Sequence, residues 1–437
     1  MPDHARHEEN HHRLVIVGGG FGGLYATRHL AKAPVNVSLV DKRNFHLFQP
    51  LLYQVASGSL SPGNIAVSLR EIVAHQANAD VILDEVLDID PQNQALTLRA
   101  DEHGHPNTLS YDTLILAPGS AKQYFGNDQW EEHAPGLKTL EDAVRIRRKV
   151  LYALECAEKE TDPLKQAGWM TFVVVGGGPT GVELAGALSE LVHGTMKASF
   201  RNIDTCQIRI IMVEAADRIL AVFPEDLQQK ACQRLEQRLG VTLLTNHRVQ
   251  SIEPGKVILI HQETQKEILT ETVLWTAGVK ASPLGRILSE RTGCELDRGG
   301  RVVVEADCSV PHYPNIFVIG DLANFAHTPN QKPLPGLASV AMQQGMYLAN
   351  VIQHRLNHQV PPPFEYLDKG NMAIIGRNAA IAQVGDLHLS GFIAWMAWLL
   401  VHIFYLIGFD NKVLVTFQWA WNYLTKDRSA CLITEQI

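Results

Sequence analysis

The chain has 437 residues and a formal net charge of −8, and its length predicts about three domains at roughly 150 residues each. Hydrophobic residues make up 46% of the sequence and charged residues 19%, a composition that excludes a disordered chain. The acidic balance argues against nucleic-acid binding, and a mean hydropathy of −0.04 excludes a bundle of transmembrane helices as the whole protein.

The cysteines and the N-terminus predict no metal or disulfide chemistry. No two of the six cysteines have the CxxC spacing, so we expect reduced thiols, no disulfide scaffold and no metal site. No signal peptide is visible, and the histidine-rich residues 1–13 are expected to form a disordered tail.

A glycine-rich turn follows the first predicted strand. The strand ends at Val17, and Gly18, Gly20 and Gly23 then complete a GxGxxG pattern that leads into a helical pattern. The first glycine permits a tight turn, the second allows the backbone to approach a pyrophosphate, and the third allows close helix–strand packing. The next predicted strand ends in Asp41, where a carboxylate can bind both hydroxyls of an adenosine ribose. Strand, turn, helix, strand and acid in this order predict a dinucleotide site.

The same order of elements returns downstream. A strand over residues 172–175 leads into Gly176, Gly178 and Gly181, and the following strand ends in Glu214. A carboxylate at this position accepts hydrogen bonds from a ribose 2′-hydroxyl and repels a 2′-phosphate, which favours NADH over NADPH. Two dinucleotide sites in one chain indicate hydride exchange between two dinucleotides, and hence a flavoprotein that uses a nicotinamide cofactor.

Two further strands predict where the chain crosses between domains. Residues 111–119 and 272–278 each form a strand that ends in a turn of small residues. Residues 315–321 form a strand that ends in Gly320 and Asp321. This ending resembles the second flavin motif of the two-dinucleotide, disulfide-reductase-like flavoproteins. The resemblance implies that Asp321 binds the ribityl chain of FAD and that the NAD domain is inserted into the FAD domain.

Three other segments resemble the type II NADH dehydrogenases, which are single-subunit, non-pumping NADH:quinone oxidoreductases. They are FHLFQPLLYQVA at 45–56, ASVAMQQG at 338–345 and YLDKGNMAIIGR at 366–377. The resemblance extends from about Leu14 to the C-terminus. It implies an α/β fold with two Rossmann-like dinucleotide-binding domains, followed by a C-terminal helical segment that associates with a membrane.

The implied domain boundaries follow from the order of these segments. The first part of the FAD domain is expected over 14–140, the NAD domain over 141–285 and the second part of the FAD domain over 286–365. Residues 366–437 are expected to carry the quinone site and the membrane anchor.

The resemblance also implies where the quinone binds. The family motif AxxAxQxG is matched by Ala338, Ala341, Gln343 and Gly345. An amide such as that of Gln343 can hydrogen-bond a quinone carbonyl, and small residues on one helix face would let a flat ring approach the flavin. Ser339 stands where the family often has glutamine, which leaves a second amide contact open.

Further site residues are implied by the resemblance. Glu183 is expected near the flavin, where it relays protons to the reduced quinone, and Lys369 is expected near that glutamate. Without the resemblance, Glu183 is an ordinary carboxylate at a helix N-terminus and Lys369 a solvated lysine. Gln49 and Pro50 match residues near the flavin ring and the quinone pocket.

The residues that we expect to bind the two dinucleotides share the turns and strand ends described above. They are Gly18, Gly20, Phe21, Gly22, Gly23, Asp41, Lys42, Arg43, Pro50, Ala117, Gly119, Gly320, Asp321, Ala338, Gly176, Gly178, Pro179, Thr180, Gly181, Glu214, Ala277 and Gly278.

The C-terminal region has the composition of a membrane-associating segment. Residues 389–409 contain no charge, and a second apolar stretch over 413–424 is too short to cross a hydrocarbon layer of about 30 Å. Tryptophan, which prefers the membrane interface, is concentrated here. We therefore predict a monotopic helical hairpin that dips into one leaflet, on a cytoplasmic or matrix-type face. A single-pass anchor and a homodimer interface are the alternatives.

Three other functions are compatible with parts of the sequence. A sulfide:quinone oxidoreductase shares the flavin domain and the tail, but it needs redox cysteines near the flavin and no NAD site. An NADH-dependent reductase of a small redox protein leaves the apolar tail unexplained. A redox sensor that binds NADH would reduce its flavin but show little quinone-dependent turnover.

Overall fold

The computed structural model describes residues 12–100, 107–197, 199–425 and 432–433, which form two compact units. The first unit contains the described residues up to 47, then 67–121 and 279–367. The second contains 48–66, 122–278 and the described residues from 368 onward. The predicted N-terminal tail lies outside the described residues as far as residue 11, and the first strand begins at His12. The predicted α/β fold class with C-terminal helices is confirmed.

A six-stranded sheet forms the centre of the first unit. Its members, in spatial order, are Ser309–Val310, Tyr313–Val318, Thr113–Leu116, His12–Val17, Val35–Asp41 and Ala79–Leu83. All neighbours in the sheet are parallel except the edge strand Ser309–Val310. The central strands His12–Val17 and Thr113–Leu116 are buried through their aliphatic residues, as expected for parallel strands covered on both faces. The neighbouring strand Val35–Asp41 instead alternates, with polar Asn36 and Ser38 between buried apolar residues.

Helices and smaller sheets complete the first unit. Its helices are Phe21–His29, Leu69–Ile72, Leu284–Thr292 and Ala338–Leu356. A three-stranded antiparallel sheet consists of Val86–Asp90, Ala95–Leu98 and Asn107–Ser110, and a strand pair of Val302–Val303 and Ala323–Asn324. Short strands adjoin the points where the chain passes between the units: Phe45–Leu47, Ala66–Ser68, Ser120–Lys122 and Val279–Ala281.

The second unit repeats the parallel arrangement. Its four-stranded parallel sheet has the order Val241–Leu244, Arg209–Val213, Thr171–Val175 and Thr272–Trp275. A three-stranded antiparallel sheet consists of Arg248–Glu253, Lys256–His261 and Thr264–Leu269. The helices of this part are Leu52–Ala56, Leu140–Lys159, Pro163–Trp169, Pro179–Glu190, which continues into a π-helical turn at Leu191–Thr195, and Glu225–Leu239. Short 3₁₀ turns in the two units are Gln49–Leu51, Pro62–Asn64, Asp128–Glu132, Thr205–Gln207 and Gly320–Leu322.

The C-terminal part of the second unit is a small sheet followed by two helices. The strands are Asn371–Gly376, Ala379–Val384 and Leu387–Ser390, and the helices are Gly391–Tyr405 and Phe409–Thr425. The predicted apolar run over 389–409 therefore begins within a strand; the helix Gly391–Tyr405 contains 15 of its residues, and its last residue, Phe409, begins the next helix. Among the helices that the structure describes, none combines the length and the apolarity needed to cross a bilayer.

Candidate active site

The first glycine turn, residues 18–23, leaves no room for side chains at two of its glycines. Gly18 has φ of +105°, and a Cβ added there would lie 2.3 Å from the carbonyl oxygen of Ala117. A Cβ at Gly23 would lie 1.9 Å from the carbonyl oxygen of Gly18. At Gly20, by contrast, a Cβ would meet no described atom within 4 Å. The helix that follows has no side-chain cap, so its N-terminus and the open space at Gly20 fit a pyrophosphate.

Asp41 lies directly against this turn. Its carboxylate accepts hydrogen bonds from the backbone N–H of Gly19 at 2.6 Å and of Arg43 at 2.7 Å. Burial raises the pKa of Asp41, and these two hydrogen bonds and the nearby Lys42 oppose that rise. A carboxylate has about four lone-pair positions, so Asp41 retains acceptor capacity for ribose hydroxyls. The geometry supports the ribose role that the sequence predicts.

The second flavin motif, the strand end at Gly320 and Asp321, brings Asp321 together with Ser120. The Ser120 hydroxyl donates to the Asp321 carboxylate at 2.5 Å. Gly320 and Gly119 have φ of +67° and +74°, a conformation that favours glycine. The N–H of Gly320 donates to the side-chain oxygen of the buried Gln344 at 2.7 Å. The glycine turns at Gly119 and Gly320 therefore position Ser120 and the Asp321 carboxylate that it contacts.

The predicted quinone motif begins the helix Ala338–Leu356, where its residues have different contacts. The side-chain amide of Gln343 pairs with the backbone of Leu367, donating to its carbonyl and accepting from its N–H, each at 3.0 Å. This pairing uses one of the two N–H donors of the amide. Ser339 shares a hydrogen bond of 3.0 Å with the hydroxyl of Tyr366. Gly345 packs against the helix Phe21–His29, since a Cβ there would lie 2.3 Å from the carbonyl oxygen of Gly22.

The second glycine turn, residues 176–181, has the geometry of the first. Gly176 has φ of +111°, and its Cβ would lie 2.8 Å from the backbone nitrogen of Ala277. A Cβ at Gly181 would lie 1.9 Å from the carbonyl oxygen of Gly176, while one at Gly178 would meet no described atom within 4 Å. The following helix begins with Pro179 and Thr180 and has no side-chain cap. This turn also fits a pyrophosphate.

Glu214 has the position in the second unit that Asp41 has in the first. It accepts hydrogen bonds from the N–H of Gly177 at 2.6 Å and of Ala216 at 2.8 Å. Arg218, the nearest basic candidate for a 2′-phosphate, is exposed and forms an ion pair with Asp217. The carboxylate at the strand end therefore has no counter-charge from Arg218, which is consistent with a preference for NADH.

Glu183 is the fifth residue of the helix Pro179–Glu190, just beyond its first turn. Its carboxyl oxygen accepts a long hydrogen bond of 3.4 Å from the N–H of Ile374. Desolvation among the surrounding protein atoms raises the pKa of Glu183 to about 8, and the hydrogen bond opposes this rise. The carboxyl group is therefore mostly protonated at pH 7 and can donate a proton.

Lys369 hydrogen-bonds a tyrosine of the first C-terminal helix. Its ammonium group donates to the hydroxyl of Tyr405 at 2.8 Å, and its side chain is exposed. Within the described part of the chain, no ion pair joins it to Glu183. The expectation that Lys369 lies near Glu183 stays a prediction. Gln49 and Pro50 lie in a 3₁₀ turn, where the amide of Gln49 donates to the carbonyl of Lys138 at 3.3 Å.

Two buried polar residues were not found from the sequence. His46 hydrogen-bonds the carbonyl of Gly19 at 2.9 Å, and Gln344 holds the N–H of Gly320. Gln344 lies on the same helix face as the buried Val340, Ala341 and Leu348, so a polar residue on a buried face was the available signal. His46 is in a three-residue strand, which gives no comparable periodic pattern.

The two C-terminal helices expose an extended apolar surface, here called the hairpin face. In the helix Gly391–Tyr405, Ala394, Trp398 and His402 are buried at a spacing of four residues, while Leu400 is 67% exposed. The exposed large hydrophobic residues of the two helices are Phe392, Ile393, Met396, Leu400, Val401, Phe404, Phe409, Val413, Leu414, Phe417, Trp421, Tyr423 and Leu424.

The inner side of the second helix is fixed by polar contacts within the same unit. The indole N–H of Trp419 donates to the side-chain oxygen of Gln54 at 2.8 Å, and the amide of Gln418 donates to the carbonyl of Ser59 at 3.1 Å. The hairpin is therefore anchored on one side and apolar on the other.

Comparisons with known proteins agree with this geometry. The model of the pyridine nucleotide-disulphide oxidoreductase family matches residues 12–345. The chain is 42% identical to the type II NADH:quinone oxidoreductase Ndh of Mycobacterium tuberculosis, covering 97% of this chain and 91% of the relative. It is 41% identical to NdhA of the same organism, covering 98% and 90%. The solved structure of NDH2 from Plasmodium falciparum in complex with NADH matches with a TM-score of 0.86 at 20% identity, over 97% of this chain and 100% of that one.

The chain belongs to the pyridine nucleotide-disulphide oxidoreductase family, and within it to the type II NADH:quinone oxidoreductases. The prediction of a flavin enzyme that uses FAD and NADH is confirmed by this membership. The two glycine turns and their carboxylates are residues that fit these two dinucleotides.

Proposed function

We propose that this chain oxidises NADH and reduces a membrane quinone to the quinol through FAD, without moving protons across the membrane. One observation carries the proposal: a single chain combines two dinucleotide turns with an exposed apolar helical face. The overall reaction takes NADH, one proton and a quinone to NAD⁺ and a quinol. When bound, FAD supplies the chemistry that accepts a hydride from NADH and passes two electrons to the quinone.

The second glycine turn is proposed to hold NADH. Its helix N-terminus receives the pyrophosphate, and Glu214 accepts hydrogen bonds from the adenosine ribose. The first turn and Asp41 hold the corresponding parts of FAD, and Asp321 binds the ribityl chain. These contacts position the two dinucleotides, and the positioning itself supplies much of the rate acceleration.

Gln343 is proposed to hydrogen-bond the quinone through the N–H donor that its contact with Leu367 does not use. Glu183 is proposed as a proton donor to the reduced quinone, because its carboxyl group holds a proton at pH 7. Lys369 is proposed to act near this site, with its ammonium group hydrogen-bonded to the hydroxyl of Tyr405.

The hairpin face is proposed to dip into one leaflet of a membrane on the cytoplasmic or matrix-type side. Its exposed phenylalanine, leucine and tryptophan side chains are the kind that insert at the boundary between headgroups and acyl chains. A water-insoluble quinone makes such contact chemically sensible. Residues 389–409 contain no Asp, Glu, Lys or Arg, so no charged path for protons runs through this segment.

The proposed function is tested by following NADH absorbance at 340 nm with the detergent-purified protein. We expect NADH consumption that depends on a short-chain quinone, and no quinone reduction when sulfide replaces NADH as the donor. Sulfide-dependent quinone reduction, or NADH consumption that requires a small redox protein, would contradict the proposal.

Glu214 is expected to set the preference for NADH. Replacing Glu214 with alanine removes the repulsion of a 2′-phosphate, so the ratio of kcat/KM for NADH to that for NADPH should fall about 10-fold. The matched control is Glu263→Ala, which removes an exposed carboxylate elsewhere in the same unit. Unchanged selectivity in the Glu214 variant would refute the assignment.

Gln343 is expected to act on the quinone half-reaction alone. Gln343→Ala should slow reoxidation of the reduced flavin by quinone about 10-fold, the effect of losing roughly one hydrogen bond, and leave flavin reduction by NADH within twofold. Gln353→Ala, on the same helix, is the control. The role is wrong if the Gln343 variant instead slows reduction by NADH and leaves reoxidation intact.

A further inference from the structure

We propose that His46 is a positioning residue for FAD, which holds the carbonyl of Gly19 so that the first glycine turn presents its amides to the pyrophosphate. This inference goes beyond the quinone reaction, and it rests only on the binding of FAD. The contact lies entirely within the first unit, where Nδ1 of His46 and the carbonyl oxygen of Gly19 are 2.9 Å apart.

The contact of His46 sets the direction of the whole peptide group between Gly19 and Gly20. Because a peptide group is planar and trans, the carbonyl of Gly19 and the N–H of Gly20 point in opposite directions. Fixing the carbonyl towards His46 therefore directs the Gly20 N–H to the other side. Glycine permits many backbone conformations, so a peptide group between Gly19 and Gly20 gains little orientation from its own residues.

Asp41 and His46 together fix both peptide groups of Gly19. The Asp41 carboxylate accepts from the Gly19 N–H at 2.6 Å and so orients the peptide group before Gly19. His46 orients the peptide group after it. Each of the two groups is held by one side chain.

The second glycine turn provides an internal comparison. Glu214 holds the N–H of Gly177 at 2.6 Å, as Asp41 holds that of Gly19. The carbonyl of Gly177, however, accepts from the backbone N–H of Leu220 at 2.7 Å. The equivalent contact is made by a side chain in the first turn and by backbone in the second. Only in the first turn, therefore, is this carbonyl held by a side chain that a substitution can remove.

The surroundings of His46 indicate that its donor, rather than its bulk, is what the site requires. A carbonyl can only accept, so Nδ1 carries the hydrogen, and burial lowers the pKa of His46 to about 4, which keeps the ring neutral. In this tautomer Nε2 is a buried acceptor, and it has no hydrogen-bond partner among the described residues. The ring packs edge-on against Phe21, with centroids 5.0 Å apart. An apolar ring would fill the same space without a buried unpaired nitrogen.

Two substitutions separate the donor from the ring. His46→Asn keeps an N–H donor at a position equivalent to Nδ1 but removes the ring. His46→Phe keeps a ring of similar shape but removes the donor. The exposed His75 provides the control variant His75→Ala. The measurement is the rate at which diluted holoenzyme releases FAD, followed by flavin fluorescence.

We expect His46→Phe and His46→Ala to release FAD about 10-fold faster than the parent, because each loses one hydrogen bond of the turn. His46→Asn and His75→Ala should stay within about threefold of the parent. Binding of ADP-ribose to the second unit, measured at saturating FAD, should be unchanged in all variants. This last readout reports correct folding, and none of these measurements requires a quinone.

Two results would overturn the proposal. If His46→Phe retained FAD like the parent while His46→Asn released it quickly, the ring alone would matter. If all His46 variants released FAD at the parental rate, the orientation of the turn would not depend on this residue.

Discussion

Replacing Glu183 with glutamine should slow reoxidation of the reduced enzyme by quinone about 100-fold, the lower range for loss of a general acid, without slowing flavin reduction by NADH. The carboxyl group has a pKa of about 8 because it is desolvated, and it therefore holds a transferable proton at pH 7. Glutamine has the same shape but no such proton. Anaerobic stopped-flow absorbance resolves the two half-reactions, and Glu225→Gln is the matched control.

The pH dependence follows from the direction of this shift. As the pH rises through about 8, Glu183 loses its proton, so quinone-dependent reoxidation in the parent should fall while the slower Glu183→Gln variant lacks this transition. Equal pH profiles in the two proteins would contradict the assignment.

The raised pKa of Glu183 should also be visible in how the stability of the fold depends on pH. The folded chain keeps a proton on Glu183 that the unfolded chain releases above its ordinary pKa of 4.5. The folded state therefore binds more protons between pH 4.5 and 8, and stability falls with rising pH across this window. We therefore expect the difference in Tm, Glu183→Gln minus parent, to increase as the pH rises from 4.5 to 8. A constant difference would mean that the carboxyl group titrates normally.

Charging the hairpin face should release the protein from membranes. The triple variant Ile393→Glu, Leu400→Glu and Phe417→Glu removes three exposed apolar side chains, each worth about 1.5–3 kcal/mol on burial. Its partition into lipid vesicles should fall more than 100-fold. Sedimentation with vesicles measures this directly, and FAD content and Tm show that the fold is retained.

The matched control places the same charges on exposed apolar residues outside the hairpin. Leu164→Glu, Val222→Glu and Val360→Glu together give a control with three glutamates, which should leave vesicle binding unchanged. Deleting the hairpin is a poorer test, because Trp398 is fully buried and its loss would disturb the second unit. If the triple variant still bound vesicles like the parent, the hairpin face would not be the membrane surface. If it instead converted a dimer into monomers, the face would be a subunit interface.

Local patterns predicted the two glycine turns and their carboxylates. A strand, a glycine turn, a helix and a strand-end acid are all encoded within about 40 residues, and the chemistry of each position limits the residue type. Gly18 and Gly176 have positive φ and approach Ala117 and Ala277, which are small residues at the ends of other strands. The pattern was predictive here because the geometry of each turn requires the glycines and small residues that define the pattern.

Contacts between distant residues were not predictable in this way. His46 and Gln344 each hydrogen-bond a glycine of a flavin turn, but no repeating pattern in the sequence indicates either contact. Residues 48–66 belong to the second unit, where Gln54 binds Trp419 across more than 300 positions of the chain. The expectation that Lys369 lies near Glu183 came from resemblance alone, and the contact of Lys369 with Tyr405 had no signal in the sequence.

Hydropathy located the C-terminal helices but could not divide their faces. The uncharged run over 389–409 includes the end of a strand, and the helix begins only at Gly391. Within that helix, Trp398 is buried and Leu400 is exposed although both are apolar. Composition alone does not distinguish a side chain that fills a protein interior from one that faces outward.

The central claim is tested most directly by anaerobic stopped-flow measurements that follow the flavin absorbance of the detergent-purified holoenzyme. NADH is added first and a short-chain ubiquinone or menaquinone second. We expect fast bleaching with NADH and fast recovery with quinone. Bleaching without recovery would contradict quinone reduction and indicate a protein-acceptor reductase or a sensor, and no bleaching at all would contradict the assignment of the second glycine turn to NADH.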